Sequence, residues 1–198
     1  VTGSQFIGTI ELPKSWNGLK DCSVQLENGR AVAMVNVPPY SFKTFQKSDN
    51  GVEADSCNEL VLENDLVKYE FAEDGSLLTG YDKQADKIIT EDGNIFTLYD
   101  DRPNNWDAWD IDFFYKDAVV GQADCVTVEP LSSGLVRQGL KFELSIGSSK
   151  IIQKVYLNRD SKRLDFETEV DWQEKHKMLR VSFPINVQTE LSTSDIQY

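Results

Sequence analysis

The sequence predicts an all-β protein, an antiparallel β-sandwich preceded by part of a small β-domain. Three observations predict it. Short runs alternate in character from one residue to the next, as in residues 6–12 or 95–99, the period of a half-buried strand. Turn chemistry such as Asn17-Gly18, Asn28-Gly29 and Asp92-Gly93 separates these runs at short, regular intervals, as a sandwich requires. The three-and-four spacing of an amphipathic helix is scarce throughout.

The chain can be followed in order. Residues 6–12 alternate and close at Pro13, which cannot donate to a ladder. A second strand is expected between Asn17-Gly18 and Asn28-Gly29, and a third over residues 31–37 ends at Pro38-Pro39. Residues 41–45 are the candidate last strand of this antiparallel module, and the polar stretch 47–56 is the candidate boundary. These signals divide the chain into a partial small β-domain, residues 1–50, and a sandwich, residues 51–198.

Within the sandwich, runs at 59–62 and 66–71 flank Glu63-Asn64-Asp65, and Asp74-Gly75 turns the chain into residues 77–81. Short turns between three such strands make a meander. Glu91-Asp92-Gly93 reads as the next turn, leading to the run 95–99. Further strands are expected over 123–128, 135–146, 151–157, 164–170 and 178–183, with Gly147-Ser148-Ser149 and Asn158-Arg159-Asp160 among the turns between them.

Charge narrows the function classes. Lys and Arg number 20 against 33 Asp and Glu, a net charge of −13, so phosphate backbones and anionic membrane surfaces are repelled. Neutral ligands such as sugars stay open. Cys22, Cys57 and Cys125 are widely spaced without a CxxC pair, which fits a reducing, cytoplasmic setting better than a disulfide scaffold. No apolar run approaches the roughly 20 residues that span a bilayer. The chain opens on Val1-Thr2-Gly3 beside one strand pattern and stops at Tyr198 beside another, so both ends are expected to be cuts in something longer.

Chemical motifs are few. His176 is the single histidine, which disfavours a zinc site within this chain, a Ser-His-Asp arrangement and a histidine-dependent epimerase of mutarotase type alike. GxSxG, GxGxxG and GxxxxGK[ST] are absent. Carboxylates are plentiful, and a retaining glycosidase needs two of them about 5–5.5 Å apart. In a chain this acidic, such pairs arise cheaply.

The stretch 99–112 is the most informative. If residues 106–111 are extended, Trp106, Ala108 and Asp110 share one face while Asp107, Trp109 and Ile111 share the other. Asp110 and Asp112 would then lie on one face about 7 Å apart. An indole beside a carboxylate suits a sugar, since the ring covers C–H groups and the carboxylate accepts from hydroxyls. Core or edge packing explains the same residue types. Arg102 either positions this loop or forms a local pair with Asp100 or Asp101.

The block from Gly93 to Asp112, GNIFTLYDDRPNNWDAWDID, closely resembles the C-terminal region of glycoside hydrolase family 38, the α-mannosidases, and its WDAWD form looks like the cytosolic, vacuolar and bacterial branch. The block from Val170 to Pro184 is similar to that family's Trp-x-Glu-x-His-Lys segment. Gly8 to Pro13 and Val35 to Pro39 look like the small β-domain ahead of the family's sandwich. The resemblance implies a galactose-mutarotase-like sandwich downstream of a catalytic barrel and a three-helix bundle, which would be its partners together with a mannose-containing oligosaccharide.

In that family zinc, held by two His and two Asp, contacts mannose, and an aspartate forms the glycosyl-enzyme intermediate. Those motifs match nothing in this sequence, so no catalytic residue and no cofactor is assigned to this segment; zinc is implied for the parent. Trp106, Asp107, Trp109, Asp110 and Arg102 are the substrate-facing candidates. Trp172, Glu174 and His176, placed on one strand face, are expected to pack and hydrogen-bond between strands, with Lys177 beside them. The resulting expectation is a non-catalytic sandwich that supports an α-mannosidase barrel; an autonomous carbohydrate-binding module is the alternative.

Overall fold

The structure, a computed structural model, describes residues 3–55, 59–106 and 109–194. Its strands in chain order are β1 (Phe6–Glu11), β2 (Val24–Glu27), β3 (Arg30–Val37), β4 (Val52–Glu53), β5 (Val61–Glu63), β6 (Val67–Phe71), β7 (Leu77–Asp82) and β8 (Lys87–Gly93). There follow β9 (Ile95–Asp100), a 3-10 turn (Phe113–Asp117), β10 (Val119–Gln122), β11 (Asp124–Ser133), β12 (Arg137–Ile146), β13 (Ser149–Asn158), β14 (Leu164–Asp171) and β15 (Lys177–Ser182). The all-β expectation is borne out.

The N-terminal sheet has the order β1-β3-β2-β4. Asn28 and Gly29 turn β2 into β3 with φ of 50° and 76°, the positive values that a two-residue hairpin needs. Leu19, Val24, Ala31, Ala33 and Val35 form its core, and Phe45 packs on it from an irregular segment. Residues 41–45 are thus not the last strand. Tyr40 has φ of 50°, and the Ser41 hydroxyl donates to Pro38 O at 2.8 Å, so the chain turns away from the ladder. β4 takes the edge, pairing parallel with β2 through Gln25 and Val52.

The sandwich sets the meander β5-β6-β7-β8 against β11-β12-β13-β14. Their facing residues, among them Val67, Phe71 and Leu77 opposite Leu140, Phe142 and Val155, make one core cluster. Phe71 and Phe142 meet at 5.6 Å between ring centroids, within the range of favourable aromatic contact. β10-β9-β15 forms a third sheet, which adds Phe96 and Leu98 to the same core. Past β15, a bridge between Thr90 and Ile185 ties the chain to β8. β10 has no counterpart among the expected strands.

One turn falls later than expected. Glu91, Asp92 and Gly93 belong to β8, and the reversal is at Asn94, with φ of 58°. Asn tolerates the left-handed region. Its buried amide donates to Gly75 O at 2.9 Å and to Gln153 Oε1 at 2.7 Å, so a cross-sandwich contact fixes the turn there.

A buried polar lock joins the N-terminal sheet to the sandwich. Gln25 is 0% exposed. Its Oε1 accepts from Val136 N at 2.9 Å and Arg137 N at 3.1 Å, and its Nε2 donates to Arg137 O at 3.0 Å. Beside it, Arg137 forks onto Glu27 through Nε at 3.0 Å and Nη2 at 2.7 Å. The guanidinium also lies 3.8 Å from the Tyr156 ring centroid. Asp55 and Ser133 exchange two backbone hydrogen bonds, both 2.8 Å.

Truncating Gln25 to Ala strands two backbone N–H groups at this junction. Each unsatisfied buried group costs about 1–3 kcal/mol, so Gln25→Ala is expected to lower unfolding stability by at least about 2 kcal/mol in urea titration. A loss under about 0.5 kcal/mol, the scale of a neutral surface change, would show that the lock is not needed.

Candidate functional site

The loop between β9 and the 3-10 turn holds the sequence-predicted residues. It is not extended. Trp106 has φ of 64°, and its carbonyl accepts from Trp109 N at 2.9 Å and Asp110 N at 3.1 Å. The Trp106 carbonyl is therefore bonded back within the run, so the extended strand expected to start at Trp106 is not formed there. The same correction removes the shared strand face of Asp110 and Asp112. Asp107 and Ala108 lie outside the described residues.

Both described indoles face outward, Trp106 at 73% and Trp109 at 89% exposure. Neither packs into the core of the described residues. Asp110 Oδ1 accepts from Ile111 N at 2.9 Å, and Asp112 Oδ2 closes the loop by accepting from Asn104 N at 2.7 Å. Past the loop, Tyr115 is buried with its ring edge-on to Tyr99 at 5.2 Å. The aromatic loop is fastened at its base and open at its tip.

Asp100 is the fastening. Arg102 Nε donates to its Oδ2 at 3.0 Å and Lys177 Nζ to its Oδ1 at 2.6 Å. Of the two readings of Arg102, the local pair with Asp100 is realised, yet the Arg102 side chain stays 69% exposed. The Lys177 hydrogen bond, with the Arg102 and Lys177 charges behind it, holds the Asp100 carboxyl below its ordinary range. One turn earlier in space, Asp101 N donates to His176 O at 2.8 Å.

The second motif block supplies that contact. Its row of side chains on one strand face is not formed, because residues 172–176 connect β14 to β15 and His176 has φ of 50°. Glu174 instead accepts from Ser148 N at the β12–β13 turn, and Gln173 N donates to Ser149 Oγ at 2.9 Å. Gly147, at φ of 58°, lies beneath the Glu174 carboxylate, which a Cβ there would have to push aside. The block is a connector that clamps a hairpin with one end and the aromatic loop with the other.

Sequence reasoning named Asp100 only as a local partner of Arg102 and Asp112 only beside Asp110 on a strand face; it missed the Asp100–Lys177 pair, the Asp112 loop closure and Gln25. Asp100 and Lys177 are direct cross-strand partners, an opposite-charge pairing that strands favour, but the signal exists only once β9 is paired with β15. No group of three or more His, Cys, Asp or Glu among the described residues could hold a metal. Cys22 and Cys125 are free thiols; Cys57 is outside the described residues. Among those residues no helix is long and apolar enough to cross a membrane.

Fold and loop together define an all-β sandwich segment that offers two indoles, a guanidinium and flanking carboxylates at its surface. The profile described as the glycosyl hydrolases family 38 C-terminal domain matches residues 62–198. The chain therefore belongs to glycoside hydrolase family 38, as the two motif blocks implied. Alpha-mannosidase 2C1 of Homo sapiens is 31% identical over 157 residues, 74% of this chain and 15% of that protein. Alpha-mannosidase G of Dictyostelium discoideum is 26% identical over 220 residues, 96% of this chain and 20% of that protein. Alpha-mannosidase of Saccharomyces cerevisiae is 29% identical over 119 residues, 53% of this chain and 10% of that protein. The chain thus spans no more than a fifth of the length of these relatives.

Asp100→Asn weakens the fastening and leaves the core alone. The amides of Asp101, Arg102 and residues 104–106 are expected to exchange faster by mass spectrometry, with the thermal midpoint little changed. Acid should act likewise. A carboxyl whose folded pKa is depressed contributes above its ordinary value of 3.8 and stops contributing as pH falls through the lower folded value. Protection, corrected for intrinsic rates, should be flat over about pH 5–8 and fall only below the ordinary carboxylate range.

Proposed function

We propose that this segment is the supporting β-sandwich, of galactose-mutarotase-like type, of a cytoplasmic zinc-dependent retaining α-mannosidase acting on terminal α-linked mannose. The observation that carries this reading is the tethered loop, with Trp106 and Trp109 exposed above the Asp100 fastening. The related α-mannosidases suggest the activity, and the free Cys22 and Cys125 thiols support the compartment. In this reading the loop turns toward the sugar pocket of a barrel and helical region, the segment's partners. Trp106 or Trp109 stacks on the C–H face of mannose while Asp107 and Asp110 accept from hydroxyls. Arg102 donates from the exposed part of its fork.

Bond cleavage is assigned to the remainder of the enzyme. The described residues form no ligand set for zinc, and no step here runs through a metal. The exposure of Trp109 also supports a second reading, an autonomous carbohydrate-binding module.

Aryl α-mannoside hydrolysis separates these readings. The isolated segment is expected to show none, with or without added zinc, and turnover by it would sink the supporting role. In the whole enzyme, Trp109→Ala should lower kcat/KM by about tenfold or more, the loss of one stacking contact and its burial. Mannose oligosaccharides that quench the isolated segment's tryptophan fluorescence, with the response lost in Trp109→Ala, would favour the binding module.

A further inference from the structure

Where the N-terminal sheet meets the outer face of the β11–β14 sheet, the two enclose a cleft of about 380 Å³. Its size falls in the range of small-ligand pockets, and junctions between structural units are where such pockets concentrate. Its lining is out of character for the chain. Arg30, Arg137, Lys141 and Lys154 face Glu11, Glu27 and Glu129 there, so cations outnumber acids in a protein of net charge −13.

The acids are already engaged. Glu11 holds Arg30 at 3.1 Å, and Glu27 holds Arg137 at 2.7 Å. Glu129 shares Lys141 with Glu143, at 3.4 and 2.7 Å. Lys154 has no ion-pair partner among the described residues. Strand register sharpens the anomaly, because Lys154 sits directly opposite Lys141 on the neighbouring strand. Cross-strand neighbours are about 4.5–5.5 Å apart at Cβ, and like charges so placed are destabilising. Glu167, opposite Lys154 on its other side, does not close on it. An acidic protein has thus set two lysines on neighbouring strands of a concave site, with Lys154 left unpaired among the described residues.

We propose that this cleft binds a phosphate group, free or carried by a sugar, between Lys141 and Lys154. The cations with donors to spare are lysines, while the planar fork of Arg137 is committed to Glu27. Lysines bind phosphate as point charges, and the bidentate match that an arginine fork gives to phosphate or carboxylate is not free here. Lys154 supplies the unpaired positive charge for a phosphate monoester, which carries about −1.5 to −2 near neutrality, and Lys141, shared with Glu129 and Glu143, adds a second donor on the neighbouring strand. The Tyr156 ring beneath Arg137 and the Ser132 hydroxyl also line the cleft. The inference does not rest on the mannosidase reading.

Calorimetric titration of the intact protein with inorganic phosphate and with mannose 6-phosphate, at fixed ionic strength, tests it; mannose is the control. Saturable binding of either phosphate, with none of mannose, is expected. Tighter binding of the sugar phosphate would show that hydroxyl contacts add to recognition, and equal binding would place recognition in the phosphate alone; both support the site. Lys154→Gln should weaken binding about tenfold, the effect of one charge-assisted hydrogen bond, while Lys154→Arg retains it. Lys154→Glu faces Lys141 on one side and Glu167 on the other, so it should leave the thermal midpoint little changed and abolish binding. That separates lost recognition from lost folding. No saturable phosphate binding, or binding unchanged in Lys154→Gln, overturns the proposal.

Discussion

A primary amide taken out of water must find partners at both ends, and Gln25 meets that requirement across a junction. Its carbonyl serves two backbone N–H groups and its amino group serves a backbone carbonyl, all at the start of β12. An apolar residue there would leave Val136 N unsatisfied in a site 0% exposed. The seating of the N-terminal sheet on the sandwich is therefore a hydrogen-bonding condition first and an apolar contact second. Glu27 and Arg137 reinforce it, their side chains only 12% and 13% exposed. The inter-sheet cleft inherits its shape from this arrangement.

The same logic runs through the aromatic loop. β9 pairs with β15 from Ile95–Ser182 to Asp100–Lys177, so one ladder brings both ends of two motif blocks together. Asp100 then takes two cations where the ladder ends, and the His176 carbonyl takes the first amide beyond it. Two blocks with 57 residues of sequence between them thus act as a single clamp. Its side chains are exposed at the tip and its backbone is fixed at the base, the division a recognition loop on a rigid scaffold calls for.

Particular residues show what the sequence carries and what it withholds. Alternation located β6, β7, β9, β12 and β13 because one face of each is buried, as in the pattern Val67, Tyr69, Phe71. Asn28-Gly29 announced its hairpin because few other residues accept two positive φ values. The tryptophan stretch misled by the same rule. Its apolar residues alternate without a partner strand, and the chain closes on itself through Trp106 O instead. Residues 172–176 misled likewise, since Glu174 is consumed by a distant hairpin. The turn at Asn94 slipped because Gly75 and Gln153, far off in sequence, bind its amide. Local periodicity is legible; which distant groups satisfy a loop's polar atoms is not.

The energetics of Trp106 and Trp109 argue for a role outside the segment's own stability. A left-handed non-glycine residue costs about 1–2 kcal/mol, and Trp106 adopts φ of 64°. Burying a large apolar side chain gains about 1.5–3 kcal/mol over leaving it exposed, and neither indole collects that gain at 73% and 89% exposure. Against an ordinary net stability of about 5–15 kcal/mol, these are not small sums. Asp112 and Asp100 meanwhile keep the loop in that unfavourable state by hydrogen bonds at its base. A loop selected for stability alone would fold its indoles onto Phe113 or Ile111, which are exposed beside it. Holding them outward at a cost has a return only where something else, a sugar ring or a neighbouring part of the enzyme, completes their burial.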